Sequence, residues 1–273
     1  MRNKKLKGTG VALITPFLED YRIDFQSLDN LIDSLIDYVD YFVVLGTTAE
    51  SSTLSIDEQY GVIEFISKKV QNRIPLVLGV GGNNTNYIIN RIKELNLESF
   101  EAILSVVPYY NKPTQQGLIA HYSSIAEISP VDIILYNVPS RTSLNMSAES
   151  IGFLAHKYPN IIGVKDASGS IEGCMSLFHM CPDDFMIISG DDKMTFPILT
   201  LGGAGVISVQ AMSFPLIFSK MVQYVFEGKL NEARKYHFKL LNSVDMFYIE
   251  GNPAGVKAAL HIQGIISSNQ VRL

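Results

Sequence analysis

Eight short runs rich in aliphatic and β-branched residues recur along this chain, and helical patterns fill the stretches between them. The runs span 11–14, 41–45, 74–80, 100–106, 132–136, 161–165, 185–189 and 205–209. They are apolar throughout rather than alternating, the pattern of parallel strands covered on both faces. One helical stretch, 25–36, follows Asp24 as N-cap, and another opens with the capping box Ser55-Ile56-Asp57-Glu58. Eight βα units in about 225 residues have the size and rhythm of a (β/α)8 TIM barrel, an α/β fold. A doubly wound open sheet is the competitor, but its dinucleotide version needs GxGxxG after the first strand. The first run leads into Thr15-Pro16-Phe17 instead, and Gly79-Val80-Gly81-Gly82-Asn83 after the third reads as a tight βα turn. Beyond the barrel helix Pro215–Phe226, further helical patterns cover 230–248 and 253–262. The expected division is a barrel over 1–226 and a small C-terminal helical extension over 227–273 packed on it.

Composition excludes several classes. Of the 273 residues 47% are apolar and the mean hydropathy is +0.17, yet no unbroken apolar stretch approaches the ~18 residues of a spanning helix. The basic start, Met1 to Lys7, looks like the head of a signal peptide, but the apolar segment after it is short and runs into Glu19-Asp20. A cytoplasmic enzyme is expected. Net charge −5 without a basic stripe argues against nucleic acid. Cys174 and Cys181 match no disulfide framework and read as reduced helix residues, and the five histidines are scattered, so no metal site is expected.

In a parallel barrel, chemistry collects where strands end. The sixth run ends in Lys165, where a cation gains nothing unless its tip has work to do. A lysine stripped of solvent loses proton affinity, and its neutral amine attacks ketones and aldehydes. The bland alternative is a snorkelling side chain with its head in water. The other strand ends weigh against it. Gly46-Thr47-Thr48 is a common turn and cap triplet, but its hydroxyls and N–H groups also suit a carboxylate. Tyr136 is either an ordinary barrel aromatic or a proton shuttle beside an imine. Arg141 is either a solvated loop charge or a planar fork for a second carboxylate. Asp191-Asp192 reads as loop rather than metal ligand. Amine, phenol, carboxylate cradle and guanidinium together describe a Schiff-base lyase acting on a 2-oxo acid.

The segments GTTAES, PYYNKPTQ, YNVPSRT, GVKDASG, SGDD and GVISV, in that order, resemble the signature segments of the dihydrodipicolinate synthase family. The wider family includes N-acetylneuraminate lyase and other pyruvate-dependent sugar-acid aldolases; Arg141 and the pair Tyr109-Tyr110 belong to the synthase branch. The resemblance implies condensation of pyruvate with L-aspartate 4-semialdehyde to 4-hydroxy-tetrahydrodipicolinate, the first committed step of diaminopimelate and lysine biosynthesis. It implies that Lys165 condenses with the pyruvate ketone and Thr47 and Thr48 hold the pyruvate carboxylate. Tyr136, Thr47 and Tyr110 would form a proton relay, with Tyr110 contributed in trans within a homotetramer or homodimer. Arg141 would grip the semialdehyde carboxylate, while backbone at Gly190 and Ile207 lines the site, and no metal or organic cofactor is required. A sugar-acid aldolase and a catalytically silent 2-oxo acid binder are the alternatives.

Two departures from the family pattern stand out. Ala49 replaces the usual Gly. At the interface site that binds lysine in feedback-inhibited members, Ser51, Asn83 and Tyr109 are kept, but Ile56, Gln59 and Tyr87 replace two His and one Glu. Weak or absent inhibition by L-lysine is therefore expected. The family usually continues for roughly another helix beyond Val271-Arg272-Leu273, so the chain is either truncated or lacks a dispensable helix.

Overall fold

Eight parallel strands close in chain order into one barrel, as the non-alternating runs require. A computed structural model describes residues 3–272; Met1 and Arg2 of the basic N-terminal stretch and Leu273 lie outside the described residues. The strands are β1 Gly8–Ala12, β2 Tyr41–Val44, β3 Leu76–Gly79, β4 Ala102–Val106, β5 Asp132–Asn137, β6 Ile161–Asp166, β7 Met186–Ser189 and β8 Gly205–Ser208. The first helices are α1 Phe25–Leu35, α2 Ile56–Val70, α3 Thr85–Glu94, α4 Gln115–Ala126, α5 Pro139–Thr142 and α6 Ala148–Lys157. They are followed by α7 Ile171–Met180, α8 Thr195–Thr200, α9 Pro215–Phe226, α10 Leu230–Val244 and α11 Ala254–Ile262. Among strand residues only Gly79, Val106 and Asp132 are less than fully buried.

The chain forms two compact units: Met1–Lys7 with Val77–Val206, and Gly8–Leu76 with Ile207–Leu273. In the first, β4, β5, β6 and β7 pair in sequence. The β5–β6 register steps by one residue between Ile133 and Ile134, which face Ile161 and Gly163. Above that step Tyr136 stands opposite Lys165, and Asn137 opposite Asp166. In the second unit β1 pairs with β2, Gly10 facing Tyr41. A Cβ on Gly10 would fall 2.2 Å from Cζ of the fully buried Tyr41 ring. Close packing over glycine explains why β1 begins at Gly8, earlier than the 11–14 run suggests.

Local signals in the sequence act as read. Asp24 accepts the Ser27 N–H at 3.0 Å, and Ser55 and Glu58 complete a reciprocal capping box at 3.2 and 2.9 Å. Leu28, Leu31, Ile32 and Leu35 of α1 are wholly buried, each burial worth about 1.5–3 kcal/mol. The stretch expected as one helix over 230–248 ends at Val244 and tightens into a 3-10 turn, Asp245–Phe247. That turn delivers Phe247 edge-on to Phe214, with ring centroids 6.1 Å apart. Cys181 follows the end of α7 rather than lying within it.

His121 on α4 is buried, with Nδ1 2.8 Å from the Thr85 hydroxyl and no partner at Nε2. Burial pushes its imidazolium down to about 4. The unfolded chain takes up a proton near pH 6.5 that the folded protein refuses until about pH 4. Stability from this site is therefore full above pH 6.5 and falls as pH drops towards 4, by about 3 kcal/mol in all. Thermal melts of wild type and His121→Gln across pH 7 to 4.5 should show a shallower acid loss in the variant. His237, also lowered by burial, contributes equally to both curves.

Candidate active site

The ends of β5 and β6 place an amine against a phenol ring. Lys165 is 5% exposed, Tyr136 is likewise buried, and Lys165 Nζ lies 4.2 Å from the Tyr136 ring centroid. Strand alternation sends the next residues the other way. The Asn137 amide donates to Asp166 Oδ1 at 2.9 Å, and the Ser168 hydroxyl to Asp166 Oδ2 at 2.6 Å. The carboxylate adjacent to Lys165 in sequence is thus engaged away from the amine. Gly190 closes on the same tip, its N–H donating to Asp166 O at 2.7 Å. A Cβ at 190 would fall 3.1 Å from Lys165 Cε and 2.9 Å from Ala167 Cβ, so glycine is what leaves the lysine stem its place.

Asn137 also ties down the segment that carries Arg141. Its Oδ1 accepts the Met146 N–H at 3.0 Å, and its amide donates to Asn145 Oδ1 at 2.8 Å. Within that segment α5 starts on Pro139, is closed by Ser143 in the left-handed conformation, and presents Arg141 at the surface.

The second unit holds the threonine segment. After β2, Leu45 (φ 54°) and Glu50 (φ 53°) both adopt left-handed backbone, and between them Thr47–Ala49 form a 3-10 turn. Two such residues cost on the order of 1–2 kcal/mol each, so the turn must be held from outside. Thr15 Oγ1 donates to Ala49 O at 2.8 Å, and Thr53 Oγ1 to Glu50 O at 2.8 Å. Asn252 donates its amide to Thr48 Oγ1 at 2.9 Å. Thr48 is an acceptor in that bond, which leaves its own proton available to a ligand. Ile207 is buried within β8.

Other residues singled out in the sequence occupy different settings. Tyr110 has φ 69° and is 86% exposed, while Asn83 donates to Tyr109 O at 3.1 Å. In the second unit Gln59 spends its amide on Ser51 O and Leu54 O, both at 3.2 Å. Ile56 and Tyr87 are each 48% exposed. Asp191 caps the Lys193 N–H at 2.8 Å, which suits a loop role. Among the described residues no group of three or more His, Cys, Asp or Glu is arranged to hold a metal ion. Among the same residues no helix is long and apolar enough to cross a membrane. Burial pushes the Cys174 thiol up to about 12, with Asp166 adding to the effect.

Sequence reading passed over Asn137, Asn252 and Lys257. Lys257 carried the same signal as Lys165, a lone cation in the apolar run Val256-Lys257-Ala258-Ala259-Leu260. Helical context concealed it, because a lysine on an amphipathic helix usually faces water. Burial pushes its ammonium down to about 8 against the pull of Glu50.

A parallel (β/α)8 barrel with a buried lysine ending the sixth strand beside a tyrosine of the fifth is the architecture of a class I aldolase-type lyase. The model of the dihydrodipicolinate synthetase family matches residues 5–273, and the chain belongs to that family. It is 49% identical over 267 residues to the 4-hydroxy-tetrahydrodipicolinate synthase of Flavobacterium psychrophilum, covering 97% of this chain and 91% of the relative. Among solved structures, the dihydrodipicolinate synthase of Thermotoga maritima superposes with a TM-score of 0.95 at 35% identity, covering 98% of this chain and 91% of that one. The chloride-inhibited enzyme of Acinetobacter baumannii, complexed with pyruvate, gives a TM-score of 0.94 at 36% identity, over 98% and 92% of the two chains.

Gly190→Ala should lower the melting temperature, because its Cβ crowds Ala167 and the Asp166 carbonyl, and should displace the Lys165 stem. Borohydride trapping of pyruvate, measured as a rate at fixed protein, should fall at least tenfold. Trapping at the wild-type rate would show that the lysine has room to spare.

Proposed function

We propose that this chain condenses pyruvate with L-aspartate 4-semialdehyde to give 4-hydroxy-tetrahydrodipicolinate, opening the diaminopimelate route to lysine. The observation that carries the reading is the buried Lys165 amine held 4.2 Å from the Tyr136 ring. Lys165 Nζ attacks the pyruvate ketone carbon, and loss of water leaves an imine. The protonated imine acts as electron sink: a proton leaves the methyl carbon, and the resulting enamine attacks the semialdehyde aldehyde, forming the new C–C bond. Tyr136, Thr47 and Tyr110 carry protons to and from these centres. The substrate's own amine then attacks the imine carbon, closing the ring and expelling the Lys165 amine. The chemistry needs no metal or organic cofactor, because the imine does that work.

Thr47 and Thr48 hold the pyruvate carboxylate in this scheme, which the donor-ready hydroxyl of Thr48 supports. Arg141 grips the semialdehyde carboxylate, and Gly190 and Ile207 line the site with backbone. A homodimer or homotetramer, with Tyr110 supplied in trans, fits a tyrosine thrust out of its own chain on left-handed backbone. We take residues 227–273 as an extension packed on a barrel of 1–226. We place the enzyme in the cytoplasm, where a buried thiol such as that of Cys174 stays reduced.

Borohydride reduction with pyruvate should place the adduct on the peptide containing Lys165, and Lys165→Ala should abolish it. An adduct on another lysine overturns the assignment. In the same series Arg141→Ala should keep pyruvate trapping nearly intact while turnover with the semialdehyde falls about a hundredfold, the worth of a charge-assisted bidentate contact of ~2–3 kcal/mol. Efficient cleavage of N-acetylneuraminate with the semialdehyde ignored would replace this reading with a sugar-acid aldolase.

Inhibition by L-lysine should be weak or absent. Lysine brings two ammonium groups, yet the corresponding positions offer Ile56, a Gln59 whose amide already donates to Ser51 O and Leu54 O, and a neutral Tyr87. Desolvating an ammonium without a carboxylate partner costs several kcal/mol, enough to erase ordinary micromolar to millimolar affinity. Steady-state rates should stay flat as lysine rises at fixed substrates. Cooperative inhibition below 1 mM, roughly the −4 kcal/mol scale of binding, would mean that other residues rebuild the site.

A further inference from the structure

Behind the threonine segment, the second unit buries an ion pair that the chemistry above does not use. Lys257 on α11 and Glu50 expose no side-chain surface, and Lys257 Nζ meets Glu50 Oε1 at 2.5 Å. The other carboxylate oxygen, Oε2, accepts the Arg272 backbone N–H at 2.7 Å, and Lys257 also donates to Gln270 O at 2.9 Å. Phe17 packs beneath both cations, its ring centroid 4.1 Å from Lys257 Nζ and 4.3 Å from Arg272 Cζ. The Arg272 guanidinium grips Glu58 at 2.6 and 2.9 Å and Tyr21 O at 2.6 Å.

A buried ion pair is a poor source of stability, since apolar residues of the same volume often serve as well. Its placement here supplies another reason for it. Glu50 is the left-handed residue on which the Thr47–Ala49 turn ends and the Ser51–Thr53 turn begins. Its backbone conformation disfavours a side chain, so the side chain must be held for the turn to keep its shape. α11 and residues 270–272 do the holding, and Asn252, just ahead of α11, reaches Thr48 itself.

We propose that Lys257 and Glu50 are positioning residues for pyruvate, fixing the Thr47–Thr48 turn from behind through the left-handed joint at Glu50. The inference rests on the reading that this turn holds the pyruvate carboxylate. Neither residue touches substrate. Their loss should therefore raise the pyruvate concentration needed for imine formation and leave the semialdehyde step, which depends on Arg141, almost unmoved.

The test is borohydride trapping at Lys165 across a pyruvate titration, with steady-state KM values for both substrates and a thermal melt of each variant. Lys257→Met should raise the half-saturating pyruvate at least tenfold, with semialdehyde KM within twofold at saturating pyruvate. The double variant Glu50→Gln with Lys257→Met removes both charges and should melt near wild type, yet keep the raised pyruvate requirement. A folded Lys257→Met with unchanged pyruvate half-saturation overturns the proposal. So does a double variant in which pyruvate binding recovers, because the pair would then serve only to neutralise itself. If Lys257→Met does not fold, the double variant decides; if that fails to fold too, the pair serves the whole fold and the proposal falls. Thr48→Val in the same titration separates the two layers. A normal pyruvate half-saturation there refutes the cradle itself, whereas a raised one beside a normal Lys257→Met refutes only the positioning role.

Discussion

The site depends first on the register between β5 and β6. Were the offset at Ile133 and Ile161 carried up the strands without a step, Tyr136 would face Val164 instead of Lys165. Side chains alternate with period two, so the wrong partner is also a partner on the wrong face. The extra residue at Ile162 absorbs the difference. Gly163 beside it lets β7 approach, since a Cβ there would fall 2.6 Å from Met186 O. One backbone irregularity low in the barrel thus decides whether the amine at the top meets the phenol or a valine.

The chain buries two lysines and treats them in opposite ways. Lys257 is locked to a carboxylate, with an aromatic ring beneath it, and works as a structural rivet. Lys165 also lies over an aromatic ring, but its sequence neighbour Asp166 is occupied by Asn137 and Ser168. Nearly identical burial therefore produces different chemistry according to where the nearest carboxylate points.

Much of this was legible in the chain alone, for identifiable reasons. Continuous apolar runs fixed the strand type, and strand ends exposed Lys165, Tyr136 and the Thr47-Thr48 pair, because charges and hydroxyls are conspicuous at the edge of an apolar run. Caps such as Asp24 and Ser55 act over three residues and need no tertiary knowledge. What escaped notice depends on partners far away in sequence. Gly8 and Gly10 look like loop until Asp40 and Tyr41 are packed on them in turn, and the register step at Ile162 leaves no mark in residue type. Lys257 sits on a helix, where lysine is ordinary. Only Glu50, 207 positions earlier, shows that its charge is turned inward.

That separation has a consequence for biogenesis. A chain is made from its N-terminus, and early segments begin to organise before late ones exist. The Thr47–Ala49 turn can form soon after β2, but its anchors are Asn252, Lys257 and the Arg272 N–H, which are synthesised some two hundred residues later. Until then Glu50 is a carboxylate without its lysine, on backbone that a side chain disfavours. The turn that the proposal assigns to pyruvate is thus translated early and tied down late, once α11 and residues 270–272 have docked on it.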